Sequence, residues 1–329
     1  MTMKFTGMCV AIVVLAVASV ASAAVTFVYP SPHSLVRRSS HLVIKFNDSD
    51  VSAVKITVNG VASDLLNVGT PEYRKAFQDM LIVKPQWDAG KNEIVVDLYK
   101  GKDLVNTSRE DIFFLANKDA TPPAEYQVHR LHVPENEKLC VDCHNMNPSA
   151  DQATSLQMKE NSCYSCHKGM LDVKYVHGPT GTYSCGYCHS LTAKIKYDTP
   201  KRDMELCSEC HAEKAAEFKK RKYLHGPVAA GMCEVCHDPH GSNYPSQLKL
   251  PVNELCTSCH EDIKKTPHVV RTPTGGGHPI SDKPDPSPYG KGRLMSCISC
   301  HDPHAGDVRY FFVNNADDRM LLCQMCHNK

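Results

Sequence analysis

Short runs in which apolar and polar residues alternate dominate the chain between residue 24 and about residue 117. A period of two is the pattern of a half-buried β-strand, and these runs are rich in β-branched residues. Asn59-Gly60 and Gly101 between the runs are typical of tight turns. The pattern predicts six or seven short strands, which over about 95 residues favours an all-β, immunoglobulin-like sandwich. The clearest runs are 42–46, 54–58, 80–83, 93–99 and 111–115.

The first 23 residues have another pattern. Lys4 precedes an apolar run over 10–20, and the small residues Ala21-Ser22-Ala23 follow it. This order predicts a secretory signal peptide, residues 1–23, that is removed from the mature protein. A membrane anchor is the alternative, but the run is short for crossing a bilayer. We find no later run apolar enough to cross one, and therefore expect an exported protein, periplasmic or extracellular.

The pattern changes again after residue 117. Residues 117–124 hold two prolines among small and polar residues, which predicts a linker. From 118 to 329 apolar runs are rare, and Gly, Pro, His and Cys dominate. Short helices are predicted only at 212–221 and 320–326. We therefore expect two domains, a β-domain over 24–117 and an irregular, helix-poor domain over 118–329.

Sixteen of the 17 cysteines lie in eight copies of Cys-x-x-Cys-His. This pentapeptide attaches c-type haem, because its two thiols bond to the porphyrin and its histidine binds the iron. A zinc ribbon would use similar cysteine pairs, but it does not explain why histidine follows each time. The motifs predict eight covalently bound haem c groups. The predicted attachment residues are Cys140, Cys143, Cys163, Cys166, Cys185, Cys188, Cys207, Cys210, Cys233, Cys236, Cys256, Cys259, Cys297, Cys300, Cys323 and Cys326. The predicted proximal iron ligands are His144, His167, His189, His211, His237, His260, His301 and His327.

Eight haems on residues 118–329 leave about 26 residues for each haem. So short a chain cannot enclose each porphyrin in a conventional core, so we expect the haems to form most of the apolar interior and to couple attachment to folding. The polypeptide has a formal charge of +1, and the haem propionates would make the loaded protein acidic. No basic excess indicates nucleic-acid binding.

A second feature repeats with the motifs. Their first cysteines lie 23, 22, 22, 26, 23, 41 and 26 residues apart, which indicates an internal repeat. Outside the motifs, residues 118–329 contain eight more histidines, one for each iron. A second imidazole gives a six-coordinate, low-potential iron. The predicted distal ligands are His129, His132, His177, His225, His240, His268, His278 and His304.

Repetition supports some of these histidines more than others. His132, His177 and His225 each lie eight residues before a motif, and His240 and His304 end His-Asp-Pro-His sequences that continue one. A surface position is the alternative for each of the eight. A methionine, Met146 or Met158, is the alternative where a distal histidine is missing.

The repeated doublets carry a resemblance. Cys233-Glu-Val-Cys-His-Asp-Pro-His-Gly241 is followed by Leu255-Cys-Thr-Ser-Cys-His260, and the pattern recurs over 297–304 and 322–327. With these motifs, about 200 residues resemble the doubled Cys-x-x-Cys-His multihaem cytochromes of metal-respiring bacteria. The resemblance implies closely packed, mostly bis-histidine haems that pass electrons along a chain. The motifs at Cys140 and Cys185 depart from it, because no Pro-His follows them.

Three functions compete. The first is an electron carrier whose partners are other redox proteins or extracellular electron acceptors. The second is a reductase for nitrite, hydroxylamine or a sulfur oxyanion, which needs one iron with an open position. The third concerns architecture, a filament whose assembly the β-domain drives. The enlarged segment between Cys259 and Cys297 is interpreted as a solvated loop or, alternatively, as a contact surface for a partner.

Overall fold

In the computed structural model, residues 24–36, 41–115, 122–158, 160–264, 267–270, 277–288 and 290–327 are described. The chain divides into two compact units, Met1–Leu139 and Cys140–Lys329. The predicted signal peptide and residues 117–121 of the predicted linker lie outside the described residues, so the boundary at 117 stays a prediction. Within the described ranges, no helix has the length and apolar character needed to span a bilayer.

The first unit is built from two β-sheets. One sheet has the order β1-β3-β7 and is antiparallel. The other has the order β10-β2-β9-β8-β4-β5, and β6 also pairs with β4. In this second sheet β2 runs parallel to both β9 and β10. The strands are β1 Val25–Tyr29, β2 Ser34–Val36, β3 Leu42–Phe46, β4 Ala53–Val58, β5 Val61–Ala62, β6 Leu66–Asn67, β7 Met80–Val83, β8 Gly90–Lys100, β9 Asp103–Phe114 and β10 Gln127–Val128.

One large apolar core joins the two sheets, and a smaller cluster of Leu35, Leu115 and Tyr126 lies apart from it. Alternate residues of β3, β4 and β8 are buried, so that Ile44, Val54 and Ile94 are all fully buried. Trp87 lies in the same core although no strand contains it. Each fully buried aliphatic side chain contributes about 1.5–3 kcal/mol, so this unit is stabilised by ordinary apolar packing.

The five clearest strand predictions are confirmed, and both predicted turns are too. Gly60 and Gly101 have φ of 82° and 61°, the left-handed conformation that glycine adopts without strain. Among the helices of this unit that the sequence reading missed is α1 Pro71–Phe77. Its start is visible in the sequence, because Thr70 caps it by accepting a hydrogen bond from the Tyr73 amide at 3.1 Å.

The second unit consists of short helices and turns. Helices are present at both predicted places, Ala212–Lys220 and Arg319–Gln324. The helices after α1 are α2 Pro134–Glu137, α3 Ala150–Thr154, α4 Tyr164–His167, α5 Gly178–Gly181, α6 Asp203–Cys207, α7 Ala212–Lys220, α8 Gly226–Ala229, α9 Val252–Thr257 and α10 Arg319–Gln324, of which α2 belongs to the first unit. Turns of 3₁₀ helix cover Lys168–Leu171, Cys185–Tyr187, Cys233–Val235, Pro245–Gln247, Glu261–Lys264, Cys297–Ser299, Arg309–Phe311 and Val313–Asn315.

Two small ribbons connect distant parts of the second unit. Strand β11 (Tyr175–Val176) pairs antiparallel with β13 (Gly241–Ser242). Strand β12 (Tyr223–Leu224) pairs in the same way with β14 (Ala305–Gly306). The ribbons are copies of one arrangement, so the repeat in the sequence is also a repeat in the fold.

Candidate haem-binding site

Each ribbon brings two histidines together. His177 directly follows β11, and His240 directly precedes β13. The His177 amide donates to the His240 carbonyl at 3.1 Å, and His177 Nδ1 bonds to the Pro239 carbonyl at 2.8 Å. The Asp238 carboxylate accepts from the His240 amide at 3.0 Å. The repeated His-Gly-Pro and Asp-Pro-His sequences are therefore the two sides of one local structure.

The second ribbon repeats these contacts. The His225 amide donates to the His304 carbonyl at 2.9 Å, and His225 Nδ1 bonds to the Pro303 carbonyl at 2.9 Å. Asp302 accepts from the His304 amide at 2.8 Å. At both ribbons, a His-Gly-Pro sequence and an Asp-Pro-His sequence thus hold one histidine each in the same arrangement.

A glycine is required at the first ribbon. Gly241 has φ of 141°, and a Cβ there would lie 2.8 Å from the Tyr175 carbonyl oxygen. No side chain fits between the two strands at this point, and the conformation itself favours glycine. Gly241 therefore lets β13 approach β11 closely enough to hold His240 beside His177.

Six pairs among the described histidines lie at one common separation, and in each pair a motif histidine faces a predicted distal ligand. The ring centres are 6.0–6.2 Å apart. The ring planes differ by 4–36° in five pairs and by 87° in the sixth. The pairs are His211 with His177, His189 with His240, His260 with His225, His237 with His304, His301 with His268, and His327 with His278.

This separation fits two imidazoles that share one metal ion. Two metal–nitrogen bonds of about 2 Å, plus about 1 Å from each nitrogen to its ring centre, place the ring centres about 6 Å apart. The separation recurs in all six pairs although the angle between the ring planes varies from 4° to 87°, as expected when a shared metal ion sets the distance. The residues present therefore fit a haem iron between each pair, with the attachment cysteines beside it.

Hydrogen bonds leave Nε2 of several rings for the metal. In the motif histidines His189, His237 and His301, Nδ1 bonds to a backbone carbonyl at 2.7–2.8 Å. Nδ1 of His278 bonds to the Pro279 carbonyl at 2.8 Å. A bond of this kind fixes the orientation of a ligating imidazole and selects the nitrogen that faces the metal.

The sequence reading missed the residues that supply the three motif carbonyls. They are Tyr197, Ser246 and Tyr310, eight or nine residues after their histidines, and their φ values are 61°, 56° and 69°. Residues other than glycine reach this left-handed conformation only at a cost of about 1–2 kcal/mol. A backbone carbonyl carries no side-chain signal, so only the recurring spacing was available as a clue.

Burial favours the neutral form of several candidate ligands. It lowers the pKa of His129, His268 and His304, and neutral imidazole is the form that binds a metal. His129 bonds through Nδ1 to the Ser31 hydroxyl at 2.8 Å. Its Nε2 is buried and has no hydrogen-bond partner among the described residues, as expected of a nitrogen reserved for a metal.

His129 and His132 lie in the first unit, whereas the motif histidines His144 and His167 lie in the second. His132 is part-buried, and its Nδ1 lies 3.0 Å from Oε1 of Glu137. Ligation by His129 and His132 stays a prediction from the histidine count.

The attachment cysteines also show how the motifs follow one another. The Cys163 and Cys185 thiols share a hydrogen bond that lowers the pKa of Cys163 to about 7 and raises that of Cys185. Cys256 and Cys297 repeat this contact, with the pKa of Cys297 lowered to about 7. Each of these contacts joins the first cysteines of two successive motifs.

Cys207 and Cys233 form the third contact of this kind. Burial, followed by the charge of Cys233, raises the pKa of Cys207 to about 12, and the two thiols are also hydrogen-bonded. First cysteines therefore meet between the second and third, the fourth and fifth, and the sixth and seventh motifs.

Second cysteines make the intervening links. Burial and then the charge of Cys210 raise the pKa of Cys188. Burial raises the pKa of Cys236 with a further contribution from the next motif's thiols, and Cys300 behaves in the same way. Links through first cysteines thus alternate with links through second cysteines from the second motif to the eighth.

A cavity of 340 Å³ lies beside one motif. Thr154, Tyr187, Cys188 and His189 are among the residues that line it. Gly186, inside the motif, is in close contact with α3, since a Cβ there would lie 2.8 Å from Cγ2 of Thr154. The cavity adjoins an attachment cysteine and its histidine, where the sequence predicts a porphyrin.

The enlarged segment before Cys297 differs from a purely solvated loop. It supplies His268 and His278, which face two motif histidines, and Asp285 within it is buried. The Asp285 carboxylate accepts from the Ser299 hydroxyl, inside the next motif, at 2.7 Å. Residues 271–276 of the predicted loop lie outside the described residues.

Comparisons with known proteins support haem attachment by the motif unit. A family model described as "Doubled CXXCH motif" matches residues 225–265 and 287–329. The multiheme cytochrome MtrA of Shewanella baltica (strain OS185) is 27% identical over 236 residues, which cover 67% of this chain and 68% of the relative.

Two solved structures are similar to part of the chain. The fibronectin(III)-like modules of Clostridium thermocellum CbhA are 18% identical, with a TM-score of 0.20, over 32% of this chain and 99% of theirs. CopC from Methylosinus trichosporium OB3b is 12% identical, with a TM-score of 0.21, over 28% of this chain and 92% of CopC. Scores this low carry no argument about the fold.

Proposed function

Because this chain is a doubled-CxxCH multihaem c-type cytochrome, we propose that it carries electrons along eight covalently attached, bis-histidine haem c groups. The observation that carries the proposal is the set of six histidine pairs at 6.0–6.2 Å. When bound, haem supplies an iron that accepts and releases one electron at a time. The chain's part is to hold each group through two cysteines and two imidazoles, and so to set spacing, ligation and dielectric.

The order of electron transfer follows the order of the motifs. From Cys163 to Cys326, an attachment cysteine of each motif lies close enough to one of the next motif for their thiols to shift each other's pKa. Attachment sulfurs that lie near one another bring the edges of neighbouring groups together, and short edge separations favour transfer between them. The cysteine contacts therefore support a linear path in sequence order rather than a branched cluster.

Ligation by two histidines favours a carrier over a reductase. A reductase for nitrite, hydroxylamine or a sulfur oxyanion needs one iron with an open position. Six motif histidines already face a second imidazole, and the count assigns His129 and His132 to the last two irons. A high-spin signal from the oxidised protein would overturn this part of the proposal.

The remaining parts concern location and assembly. Residues 1–23 support export, and we place the carrier in the periplasm or outside the cell, where other redox proteins or extracellular acceptors are its partners. We propose that the first unit is an immunoglobulin-like sandwich, which the two sheets around one core support. Filament formation through this unit is tested by sedimentation, and monomers alone at high concentration would reject it.

The ligation proposal is tested by exchanging one ligand. His225→Met in the loaded protein should raise the reduction potential of one haem and leave the others in place, because a thioether favours the reduced iron. His41→Met, at an exposed position directly before β3 in the first unit, is the matched control and should change no potential. Intact mass should show eight haems in both variants. Fewer than eight haems in the unaltered protein, or unchanged voltammetry of His225→Met, would contradict the proposal.

A further inference from the structure

A buried carboxylate lies beside one predicted ligand. Nδ1 of His132 and Oε1 of Glu137 are 3.0 Å apart, a hydrogen-bond distance. Glu137 is the last residue of α2 and is only 7% exposed. A buried glutamate is rare unless it is paired, so a specific interaction is expected to hold it there.

Other ligand candidates have a neutral acceptor at the same position. Nδ1 of His177, His225 and His278 each bonds to the backbone carbonyl of a proline. His240 and His304 do lie near aspartates, but their Nδ1 atoms are 3.6 and 3.7 Å from the carboxylate oxygens. Those distances exceed a hydrogen bond, and each aspartate instead accepts from the histidine amide.

The hydrogen-bond acceptor on Nδ1 alters how much electron density Nε2 donates to the metal ion that it binds. A carboxylate accepts a stronger hydrogen bond than a carbonyl does and draws the Nδ1 proton toward itself. The imidazole then becomes more basic and donates more electron density to the metal. The more positive oxidised iron gains most from this donation, and burial strengthens the effect because the local dielectric is low.

We propose that Glu137 is a positioning residue that lowers the reduction potential of the haem held by His132. The inference rests on the proposed function, since that function makes His132 an axial ligand. The glutamate fixes the ring through Nδ1 and stabilises the oxidised iron through it. The eight carriers are then not equivalent, because this one gives up its electron more readily than those whose distal histidine bonds to a proline carbonyl.

The test replaces the charge and keeps the shape. In Glu137→Gln one haem transition should move to a more positive potential, by about a tenfold change in its ratio of reduced to oxidised iron, or about 59 mV for one electron. Spectroelectrochemical titration of the loaded protein measures this shift. Glu135→Gln, two residues earlier on the same helix and exposed, is the matched control and should leave every potential in place.

Two further measurements separate this inference from the proposed function. His132→Met should move the same transition that Glu137→Gln moves, and in the double variant the glutamate should add little. A Glu137→Gln protein with all its haems, a low-spin spectrum and unshifted potentials overturns the inference and leaves the carrier intact. If His132→Met changes no transition, His132 is not a ligand and the inference is wrong, whereas the six described pairs still stand.

Discussion

The β-sheet unit buries aliphatic side chains along β3, β4 and β8, whereas the motif unit buries few apolar side chains larger than alanine among its described residues. Four of the motif unit's six buried apolar residues are alanines: Ala153, Ala215, Ala305 and Ala316, beside Tyr183 and Met295. One chain therefore uses two kinds of interior. The first is made of its own side chains, and the second requires prosthetic groups to complete it.

The largest effect should come from removing one attachment site. In Cys207→Ala/Cys210→Ala one haem cannot be attached, so the contact with Cys233 and the ligand pair of His211 are both lost. Intact mass should show one haem fewer, and the motif unit should unfold at a much lower temperature. Ser208→Ala, inside the same motif, should retain every haem. An unchanged melting temperature of the motif unit would show that its interior does not depend on the haems.

A core truncation should affect only the other unit. Ile94 is fully buried on β8, and Ile94→Ala should lower the free energy of unfolding of the β-sheet unit by about 2–5 kcal/mol. Denaturant unfolding followed by Trp87 fluorescence measures this loss, while the haem absorption should stay unchanged. Ile82→Ala, on β7 and 44% exposed, is the control with a small expected effect. A parallel loss of haem signal would show that the two interiors are not independent.

Acid should weaken the enlarged segment of the motif unit. Burial raises the pKa of Asp285, but hydrogen bonds from Ser299 and Ser287 outweigh burial and hold it below its usual value. The carboxylate therefore contributes its full stability above the unfolded pKa of about 3.9, and loses it as the pH falls through the folded pKa.

The corresponding variant is Asp285→Asn. This variant should lower the free energy of unfolding of the motif unit by about 1–3 kcal/mol at neutral pH, because hydrogen bonds to the charged group are lost. Below the folded pKa of Asp285 it should have no effect on that free energy. Unfolding of the motif unit between pH 7 and pH 2 gives the comparison with the unaltered protein. Asp282→Asn, exposed in the same segment, serves as the control. Equal pH profiles for Asp285→Asn and the unaltered protein would contradict the assignment.

The smallest expected effect is an increase in the stability of the motif unit. Ser246 has φ of 56° and holds His237 only through its carbonyl, so Ser246→Gly keeps the hydrogen bond and removes the strain. We expect an increase of at most about 1 kcal/mol in the stability of the motif unit, because glycine also loses more chain entropy on folding. Ser246→Ala retains the left-handed strain and should show no gain. Destabilisation by alanine as well as by glycine would mean that the Ser246 side chain matters, whereas destabilisation by glycine alone would mean that chain entropy outweighs the strain.

The two interiors also differ in how far sequence reasoning reached. In the β-sheet unit, alternation along runs such as 54–58 predicted strands because burial of one face controls the pattern. In the motif unit, the cysteines and histidines predicted the chemistry, while helices of four to six residues, which are all but the nine-residue α7, left no periodicity to read. His268 had no repeat to support it, yet it faces His301. The carbonyl of Tyr197 acts through backbone alone, so no residue type could indicate it.

The alternation of first-cysteine and second-cysteine links gives the motif array a parity. Removing one motif would place two links of the same kind next to each other, and the alternation of first-cysteine and second-cysteine links would be out of step from there on. Removing two motifs leaves the sense unchanged. The ribbons add to this, since His240 follows the fifth motif and faces the histidine of the third, two motifs back. Insertions and deletions in such an array should therefore be tolerated in pairs, which makes the doublet, rather than the single motif, its unit of growth.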